Sequence, residues 1–518
     1  MLFIGSKGKS MENTKKYSSE SDFNVLNKYF DSFERCRYKS LTKFLNSKQS
    51  PITYRILHVG VGGFHRSHQA YTIHEYNKLN LDQWEIVGIG LCSWDEHMFK
   101  TLKEQNFNYT LVSRCNNFSK VENISVIKNF HFLPSWKEDE FFFPTIVESC
   151  VPIISMTITE KGYYFNENHV LDRDHENIKY DLSHWRKGDG ISVPKTIYGF
   201  LSTYFCQLEK KRMNPVTVLS CDNLIGNGNL CRRLCIEFLS LCEPLLIPYV
   251  ETKICFPNSM VDRITPFTTN TDKFMLQINY NIVDKIPVMC ENYISWVIEE
   301  KYSSIVPRWK EIPHVVETFD IEPFENKKLL LLNSSHSFIW YLGYLYDVKY
   351  VFEFMMNETL VSVLENYMNE VTQNLDETFD RSLILDYREI VLLRFQNFFI
   401  KDELSRLAQD GSMKLKMCLS EVLFTFYKKD STTAPYYICL FLALFLVYMN
   451  PNNPKINDPN PELAVDLFQF RSVKEIKNCL SLLFPPFIKE WNILHETVHN
   501  LFVFLLEKRY DELLFPSK

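Results

Sequence analysis

The sequence predicts an α/β N-terminal domain followed by a mostly α-helical C-terminal domain. Up to about residue 300, apolar strand-like runs alternate with helical patterns, which is typical of a parallel sheet covered by helices. After that point the strand pattern fades and amphipathic helical patterns follow. We therefore expect an N-terminal extension over residues 1–50, an α/β domain over 51–300 and a helical domain over 301–518, with a cleft between the two domains.

Four apolar runs mark strands of the predicted sheet. The run at 54–64 ends in a glycine turn, and the run at 84–92 is a second buried strand. Further strand-like runs lie at 143–159 and at 215–223, and a helical pattern over 196–212 lies between them. Because strands that alternate with helices pair in parallel, we expect these runs to share one sheet.

The C-terminal part is predicted to be helical because apolar residues recur there at helical spacing. The helical patterns cover 328–347, 351–374, 379–399, 436–449, 473–483 and 488–508. The stretch 436–449 is the longest uncharged apolar run, but it is short for a bilayer span and follows a proline. We expect a buried helix there, and a surface loop in the proline- and asparagine-rich piece at 450–462.

Composition and charge narrow the classes of function. At 518 residues and 46% hydrophobic residues, the chain is long and apolar enough for two or more well-packed domains. The formal net charge of −6 gives no electrostatic reason to expect a nucleic acid or a membrane as partner. Fourteen scattered cysteines without a C-x-x-C pair favour reduced thiols, and the first residues show no signal peptide or presequence pattern. A cytoplasmic protein is expected.

A glycine-rich turn follows the first predicted strand. Gly60, Gly62 and Gly63, with Phe64, lead into a segment expected to be helical. Backbone amides at such a turn can bind the pyrophosphate of a dinucleotide, which predicts a Rossmann-type domain. His65 stands where the third glycine of the usual fingerprint would be, so the motif alone is a weak signal. Glycine turns of this kind without any ligand are common.

An acidic pair, Asp95 and Glu96, follows the second strand. An acid at that point would accept hydrogen bonds from the adenosine ribose and would repel a 2′-phosphate, so the pair predicts NAD, with NADP possible. The alternative is a solvated helix start, where acidic residues are favoured in any case.

Three polar residues, Lys328, Asn333 and His336, interrupt an apolar segment. Burial of an unpaired ammonium is costly and drives the amine neutral, and a neutral lysine near physiological pH can act as a general base. The four leucines after Lys328 would lower its pKa, whereas Glu325 would raise it. The alternatives are a surface lysine, a backbone-satisfying asparagine and a core histidine.

Histidines near the glycine turn suggest a metal site as an alternative. His65 and His68 could share a helix face, with His58 close in sequence. No carboxylate or cysteine stands at a suitable spacing to complete a ligand set, so we expect no metal.

Four segments together resemble the polyol-specific long-chain dehydrogenases, the mannitol 2-dehydrogenase family. They lie in the family's order at 58–71, 218–228, 257–266 and 328–337, with shorter matches at 157–164, 196–201 and 404–414. The resemblance covers about residues 54 to 510. Residues 1–50 match nothing in the family, and Ile225 stands where these enzymes usually carry proline.

The resemblance implies metal-independent, NAD(P)-linked oxidation of a secondary alcohol on a polyol, or the reverse reduction of a ketose. D-mannitol and D-fructose are the expected pair. The family signature of lysine, asparagine and histidine falls on Lys328, Asn333 and His336. Lys328 would be the general base, Asn333 and Asn223 would donate hydrogen bonds to the developing alkoxide, and His336 would hold substrate hydroxyls.

The resemblance implies five further site residues. Asp262 resembles an acid that supports the site, while Arg406 and Lys414 match positions that contact the substrate. Glu160 and Glu325 resemble acids that relay the proton from the lysine to water. The alternatives are a local salt bridge of Asp262 with its neighbour Arg263, an exposed basic pair around the turn at Gly411, and turn charges at Glu160.

Two other functions are consistent with the same residues. One is a hexuronate reductase that acts on fructuronate or tagaturonate, and the other is a non-catalytic dinucleotide-binding protein on the same fold. The expected partner is a small polyol or ketose, and relatives in the family imply a monomer or a weak homo-oligomer.

Overall fold

The computed structural model describes most of the chain. The described residues are 53–80, 82–92, 95–115, 122–127, 130–132, 137, 141–166, 169–375, 380–407, 411–449 and 472–508. The predicted extension over 1–50 and the predicted loop over 450–462 lie outside these residues.

Eleven strands lie within the described residues, and they form three sheets. They are β1 (Thr53–Val59), β2 (Gln83–Ile89), β3 (Tyr109–Arg114), β4 (Glu122–Ile127), β5 (Phe130–Phe132), β6 (Ile153–Met156), β7 (Thr217–Ser220), β8 (Ser259–Asp262), β9 (Val288–Glu291), β10 (Ser295–Glu299) and β11 (Val315–Thr318). The largest sheet has the order β5-β2-β1-β6-β7, and all its neighbouring strands are parallel. This confirms the predicted parallel α/β sheet.

The strand order of this sheet reverses between β1 and β6. In open parallel sheets, ligands bind beyond the carboxyl ends of the strands at such a switch point. The glycine turn follows β1 there, and Thr157 follows β6, so that the Thr157 amide donates to the carbonyl oxygen of Val59 over 2.9 Å. The topology therefore places the glycine turn at the position where a dinucleotide-binding fold holds its ligand.

Two three-stranded sheets share one hydrophobic core with the large sheet, and the sequence patterns did not reveal them. In one, β10 pairs in parallel with β11 and antiparallel with β8; in the other, β3 pairs antiparallel with β4 and in parallel with β9. Most of these strands are only four to six residues long, which is too short for a clear periodicity. The predicted domain boundary near residue 300 stays a prediction.

Most helices of the first part pack on the large sheet, whereas the last of them packs on β3 and β9 through Leu276. The helices of the first part are α1 (Gly63–Ser67), α2 (Gln69–Leu79), α3 (Asp95–Glu104), α4 (Phe142–Glu148), α5 (Glu176–Ser183), α6 (Ile197–Lys211), α7 (Asn227–Cys242), α8 (Ile247–Lys253) and α9 (Asn270–Tyr280). The helix predicted over 196–212 is α6, and it begins where the Thr196 hydroxyl accepts the amide of Gly199 over 3.1 Å.

The remaining helices build the C-terminal part. They are α10 (Glu322–Lys327), α11 (Ser334–Leu345), α12 (Val351–Met355), α13 (Glu358–Gln373), α14 (Arg381–Phe395), α15 (Leu404–Leu407), α16 (Gly411–Lys429), α17 (Tyr436–Tyr448), α18 (Val473–Leu483) and α19 (Asn492–Leu506). The apolar stretch predicted to be a buried helix is α17, whose residues from Ile438 to Leu446 are all buried. No described helix is long and apolar enough to cross a membrane.

Two secondary-structure predictions were wrong in detail, and one helix was missed. The run at 143–159 contains only one strand, because its first part forms α4; a short apolar run does not distinguish strand from helix. The helix predicted over 351–374 is two helices, since the Asn357 side chain accepts the amides of Thr359 and Leu360 and so starts α13. The helix α16 was not predicted, because its first residue, Gly411, indicates a turn.

Candidate active site

The glycine turn has the backbone shape that a dinucleotide requires. Gly60 adopts a φ of +93°, and a Cβ there would lie 2.2 Å from the carbonyl oxygen of Thr157, so only glycine fits. Gly62 is different, because no atom lies within 4 Å of the position of its missing Cβ. Gly63 and Phe64 begin α1. The backbone after β1 is therefore accessible to a phosphate at Gly62.

His65 fills the place of the missing third glycine. Its ring stacks on that of His58 at a centroid distance of 3.5 Å, and both rings are fully buried. The His58 ring contacts the Ser155 hydroxyl at 2.8 Å and the carbonyl oxygen of Gly60 at 3.0 Å. Burial lowers the pKa of His58 to about 3, so both rings pack as neutral groups. Within the described residues, no group of three or more His, Cys, Asp or Glu could hold a metal ion.

The acidic pair lies in the first turn of α3, just beyond the carboxyl end of β2. The Asp95 carboxylate accepts the backbone amide of Cys92 over 3.0 Å, and burial raises the pKa of Asp95. Glu96 is exposed. The positions of Asp95 and Glu96 agree with a contact to the ribose, but they agree equally with the alternative, a helix start that favours acidic residues. The cofactor role of the pair therefore stays a prediction.

Lys328 begins a π-helical segment, Lys328–Asn333, that joins α10 to α11. Such segments are rare and occur frequently at functional sites. Hydrogen bonds in a π-helix join residues five apart, so Asn333 lies about one turn beyond Lys328. The spacing of lysine and asparagine in the family signature thus corresponds to one π-helical turn here.

The Lys328 side chain is buried and held by two acceptors. Its Nζ donates to Oδ1 of Asn223 over 2.5 Å and to the carbonyl oxygen of Val261 over 2.6 Å. A neutral lysine amine has two N–H donors and one lone pair, so these two bonds leave the lone pair for a third partner. Burial lowers the pKa of Lys328 to about 8, although Asp262 and Glu325 act in the opposite direction. The lowered pKa agrees with the prediction that desolvation of Lys328 outweighs the effect of Glu325.

Asn223 contacts this amine, and Asn333 lies about one π-helical turn beyond Lys328. Asn223 follows β7 and uses its carbonyl oxygen to hold Lys328, so its amide nitrogen remains as a donor. Asn333 lies at the end of the π-helical segment and is partly exposed. Within the described residues, no hydrogen bond is made by the amide nitrogen of either side chain. The amide nitrogens of both side chains thus remain available as donors.

His336 lies in α11, eight residues after Lys328. It is buried against the Phe395 ring, at a centroid distance of 4.7 Å, and its Nε2 lies 3.8 Å from Oδ2 of Asp402. Asp402 could not be predicted from the sequence, because it is distant in the chain and follows no motif.

Asp262 does not form the local salt bridge with Arg263 that was one alternative. Its carboxylate accepts both terminal nitrogens of Arg394, over 2.7 and 2.8 Å, and the hydroxyl of Tyr387 over 2.5 Å. Arg263 instead donates to backbone carbonyl oxygens, including that of Glu291 over 3.0 Å. Burial would raise the pKa of Asp262, but the nearby cations, Arg394 above all, bring it below its ordinary value.

The two predicted relay acids both lie near Gly226. Glu325 is buried, and its Oε1 accepts the Gly226 amide over 3.0 Å; burial raises the pKa of Glu325 to about 7. Glu160 and Gly226 line one cavity of about 460 Å³, together with Lys414 and Ile225. The structure thereby brings Glu160, Glu325 and Lys414 to one region.

Lys414 and Arg406 belong to neighbouring helices of the C-terminal part. Lys414 lies in α16, and its Nζ donates to the carbonyl oxygen of Leu407 over 3.3 Å. Arg406 lies in α15, but its side chain is outside the described part of the chain. The substrate contact predicted for Arg406 therefore stays a prediction.

Asp222 is a buried acid that sequence reasoning missed, although it directly precedes Asn223. It accepts the amides of Ile158 and Thr159 and the hydroxyl of Tyr163, over 2.8 to 3.1 Å. These bonds hold the turn that carries Glu160, in which Thr159 has a φ of +62°. Its position between the end of β7 and Asn223 was the feature of the sequence that could have identified it.

Two family models match the chain. The mannitol dehydrogenase Rossmann domain matches residues 54–311, and the mannitol dehydrogenase C-terminal domain matches residues 320–483. The chain belongs to the mannitol dehydrogenase family. It is therefore a polyol dehydrogenase with a Rossmann domain and a helical C-terminal domain, and the resemblance inferred from the sequence is confirmed.

Individual relatives agree with the family models. Mannitol 2-dehydrogenase of Aspergillus oryzae is 33% identical over 419 residues, which are 79% of this chain and 80% of that protein. The enzyme of the same name from Pyricularia oryzae is 35% identical over 364 residues, which are 70% of this chain and 71% of that protein.

Two solved structures share the fold. The Pseudomonas fluorescens mannitol 2-dehydrogenase ternary complex with NAD and D-mannitol superposes with a TM-score of 0.76 at 29% identity, over 89% of this chain and 94% of that chain. A D-sorbitol dehydrogenase in substrate-free form gives a TM-score of 0.74 over 90% of this chain and 95% of that one. At 24% identity, the second likeness shows the fold alone.

Proposed function

We propose that this polyol dehydrogenase interconverts D-mannitol and D-fructose with NAD as cofactor, Lys328 as general base and no metal. The observation that carries the proposal is the setting of Lys328: a buried amine, held by Asn223 and Val261, whose pKa burial lowers to about 8. A general base is most effective when its pKa lies near the operating pH. The mannitol 2-dehydrogenases among the relatives support the choice of substrate.

The cofactor site fits a dinucleotide. The turn at Gly60 and Gly62 lies at the switch point of the sheet, and the open space at Gly62 allows backbone to approach a pyrophosphate. Asp95 and Glu96, beyond β2, favour NAD over NADP because a carboxylate repels a 2′-phosphate. When bound, NAD supplies the acceptor for the hydride that leaves the carbinol carbon.

The chain's own residues handle the proton and the oxygen. Lys328 Nζ takes the proton of the reacting hydroxyl, which raises the electron density on that oxygen and favours hydride departure. The amides of Asn223 and Asn333 stabilise the negative charge that develops there, in the manner of an oxyanion hole. His336 holds a neighbouring hydroxyl of the substrate.

Glu325 is suited to receive the proton from Lys328. The two residues are three apart, which places them on neighbouring positions of a helical turn. Burial brings the pKa of Glu325 to about 7 and that of Lys328 to about 8, so the proton can pass between them without a large free-energy cost. The bond from the Gly226 amide fixes Glu325 beside the cavity that contains Glu160, which provides a path to water.

Replacement of Lys328 tests the proposal, and its neighbour Lys327 is the matched control. Lys328→Ala should reduce mannitol oxidation at neutral pH by about 10²–10⁴-fold, the usual contribution of a general base, and leave NADH binding intact. Lys327→Ala should retain activity, because the Lys327 ammonium lies over the Phe324 and Tyr387 rings rather than beside Asn223. Equal activity of both variants would contradict the assignment.

A substrate panel separates this function from the alternatives. Fructose, fructuronate and tagaturonate are reduced in parallel assays with NADH and with NADPH, and the initial rates are compared. The proposal expects the highest kcat/KM for fructose with NADH. A strong preference for the uronates would establish the hexuronate reductase, and no turnover of any substrate would favour a non-catalytic dinucleotide-binding protein.

A further inference from the structure

Arg394 lies between two buried carboxylates at the ends of two strands. Its terminal nitrogens donate to both oxygens of Asp262, the last residue of β8, over 2.7 and 2.8 Å. Its Nε and one terminal nitrogen donate to both oxygens of Glu291, the last residue of β9, over 3.0 and 2.7 Å. The three side chains are at most 5% exposed. Such paired, bidentate bonds fix position as well as charge.

This arginine connects the helical part of the chain to the strands that carry the site. Arg394 and Tyr387 are seven residues apart in α14, hence on one face, and both contact the same carboxylate. Two different sheets are joined in this way, because β8 pairs with β10 whereas β9 pairs with β3. The position of the β8 end therefore depends on Arg394.

The end of β8 is also one of the two supports of Lys328. The carbonyl oxygen of Val261 accepts Lys328 Nζ over 2.6 Å, and the next residue is Asp262. We propose that Arg394 is a positioning residue for proton transfer, which holds Val261 and Asp262 beside Lys328 and compensates the charge of Asp262. The inference rests on the proposed role of Lys328 as the general base.

Charge compensation determines how much free base is present. The charged side chains that act on the Lys328 amine are Asp262 of β8, Glu325 of α10 and Arg394 of α14. The elements packed against the Lys328–Asn333 segment also carry other titratable groups, among them Lys327, Tyr387, His336 and Lys414. Asp262 and Glu325 raise the pKa of Lys328, and Arg394 lowers it. Without Arg394, the Asp262 carboxylate would act on the ammonium uncompensated, and the amine would stay protonated to a higher pH.

The pH dependence of kcat/KM for mannitol oxidation tests the inference in three proteins. In the wild type, the rate should rise with pH as Lys328 loses its proton. Arg394→Gln removes the positive charge that offsets Asp262, so the Lys328 pKa should rise. We expect the acid limb to move up by about one unit, the lower end of the effect of a nearby carboxylate on a cation, which reduces the free base at neutral pH about tenfold. Glu291→Gln leaves Arg394 paired with Asp262 alone and should move the limb in the opposite direction, by a smaller amount.

Opposite shifts are the result that a merely structural role would not produce. If both variants lose activity while the acid limb stays where it is in the wild type, Arg394 only supports the fold and the inference is wrong. Circular dichroism and NADH binding show which variants are folded. If Arg394→Gln does not fold, a downward shift in Glu291→Gln still supports the inference, and an unchanged limb overturns it.

Failure of the proposed function would look different. It would appear as an inactive wild-type protein, or as an unchanged acid limb in Lys328→Ala, whatever the Arg394 variants do. Tyr387→Phe is the control within the same cluster, because it removes one hydrogen bond to Asp262 without a change of charge. Its acid limb should coincide with that of the wild type, and a shift equal to that of Arg394→Gln would contradict the electrostatic argument.

Discussion

Two sets of buried bases lie near strand ends in this protein, and their surroundings differ. His58 and His65 stack on each other among neutral partners, and burial lowers the pKa of His58 to about 3. Lys328 is also buried, but Asp262 and Glu325 offset part of the desolvation, and its pKa stays at about 8. Burial takes a histidine below the physiological range because its ordinary pKa is already 6.5, whereas it brings a lysine, with an ordinary pKa of 10.5, into that range, and the compensating charges limit how far the lysine moves.

The largest expected effect comes from removal of the main compensating charge. Asp262→Asn leaves Arg394 paired with Glu291 alone, and loss of one partner from a buried pair typically costs about 3–5 kcal/mol. Denaturant unfolding should show this loss of stability. The acid limb of mannitol oxidation should also move to lower pH, because Asp262 no longer stabilises the Lys328 ammonium. A fully stable variant with an unchanged limb would contradict the role of compensation.

The glycine turn between His58 and His65 gives the next largest effect. Gly60→Ala places a Cβ 2.2 Å from the Thr157 carbonyl oxygen in a left-handed conformation, so we expect a loss of about 1–3 kcal/mol in stability and weaker NADH binding. Gly62→Ala is the control, since nothing lies within 4 Å of its Cβ position. Gly62→Ala should unfold like the wild type; equal destabilisation of both variants would argue against this description of the turn.

Part of the fold and of the site could be predicted from the sequence, and what could not be predicted has physical causes. Alternating apolar runs indicated the parallel sheet, and the uncharged run now seen as α17 indicated a buried helix, because both patterns are local. The π-helical segment Lys328–Asn333 could not be predicted, since its four leucines fit an ordinary helix equally well.

The pairing around Asp262 was beyond sequence reasoning for a different reason. Arg394 lies 132 positions away in the chain, whereas Arg263 is the immediate neighbour, so local reading favours the wrong partner. Tyr387 and Arg394 do share a helix face at a spacing of seven residues, which was a usable signal. Their common partner emerges only when α14 packs against β8.

The histidines should affect stability rather than catalysis. Because the folded-state pKa of His58 is depressed, His58 reduces stability as the pH falls from about 6.5 towards 3, where the unfolded chain binds a proton and the folded chain does not. One unit below the unfolded pKa, this amounts to about 1.4 kcal/mol. His58→Gln should therefore lose less stability than the wild type between neutral and mildly acidic pH, measured by denaturant unfolding.

The exposed His184 provides the comparison for that measurement. His184→Gln removes one exposed histidine and shows how much of any change comes from the substitution itself. If His58→Gln loses as much stability on acidification as the wild type, His58 is not a buried group that stays neutral.

The smallest expected effect is that of metal removal. The proposed mechanism assigns proton removal to Lys328 and alkoxide stabilisation to two asparagine amides, so it requires no metal. Dialysis against EDTA, followed by assay in metal-free buffer, should leave the rate of mannitol oxidation unchanged. A loss of activity that zinc or another divalent cation restores would contradict that part of the mechanism.

The central claim is that Lys328 is the group that exchanges the substrate proton. The most direct measurement is the pH dependence of kcat/KM in both directions with the wild-type protein. Oxidation of mannitol requires the free amine and should rise with pH through an ionisation near 8, whereas reduction of fructose requires the ammonium and should fall through the same ionisation. Profiles that change in the same direction, or that show no ionisation in this range, would contradict the claim.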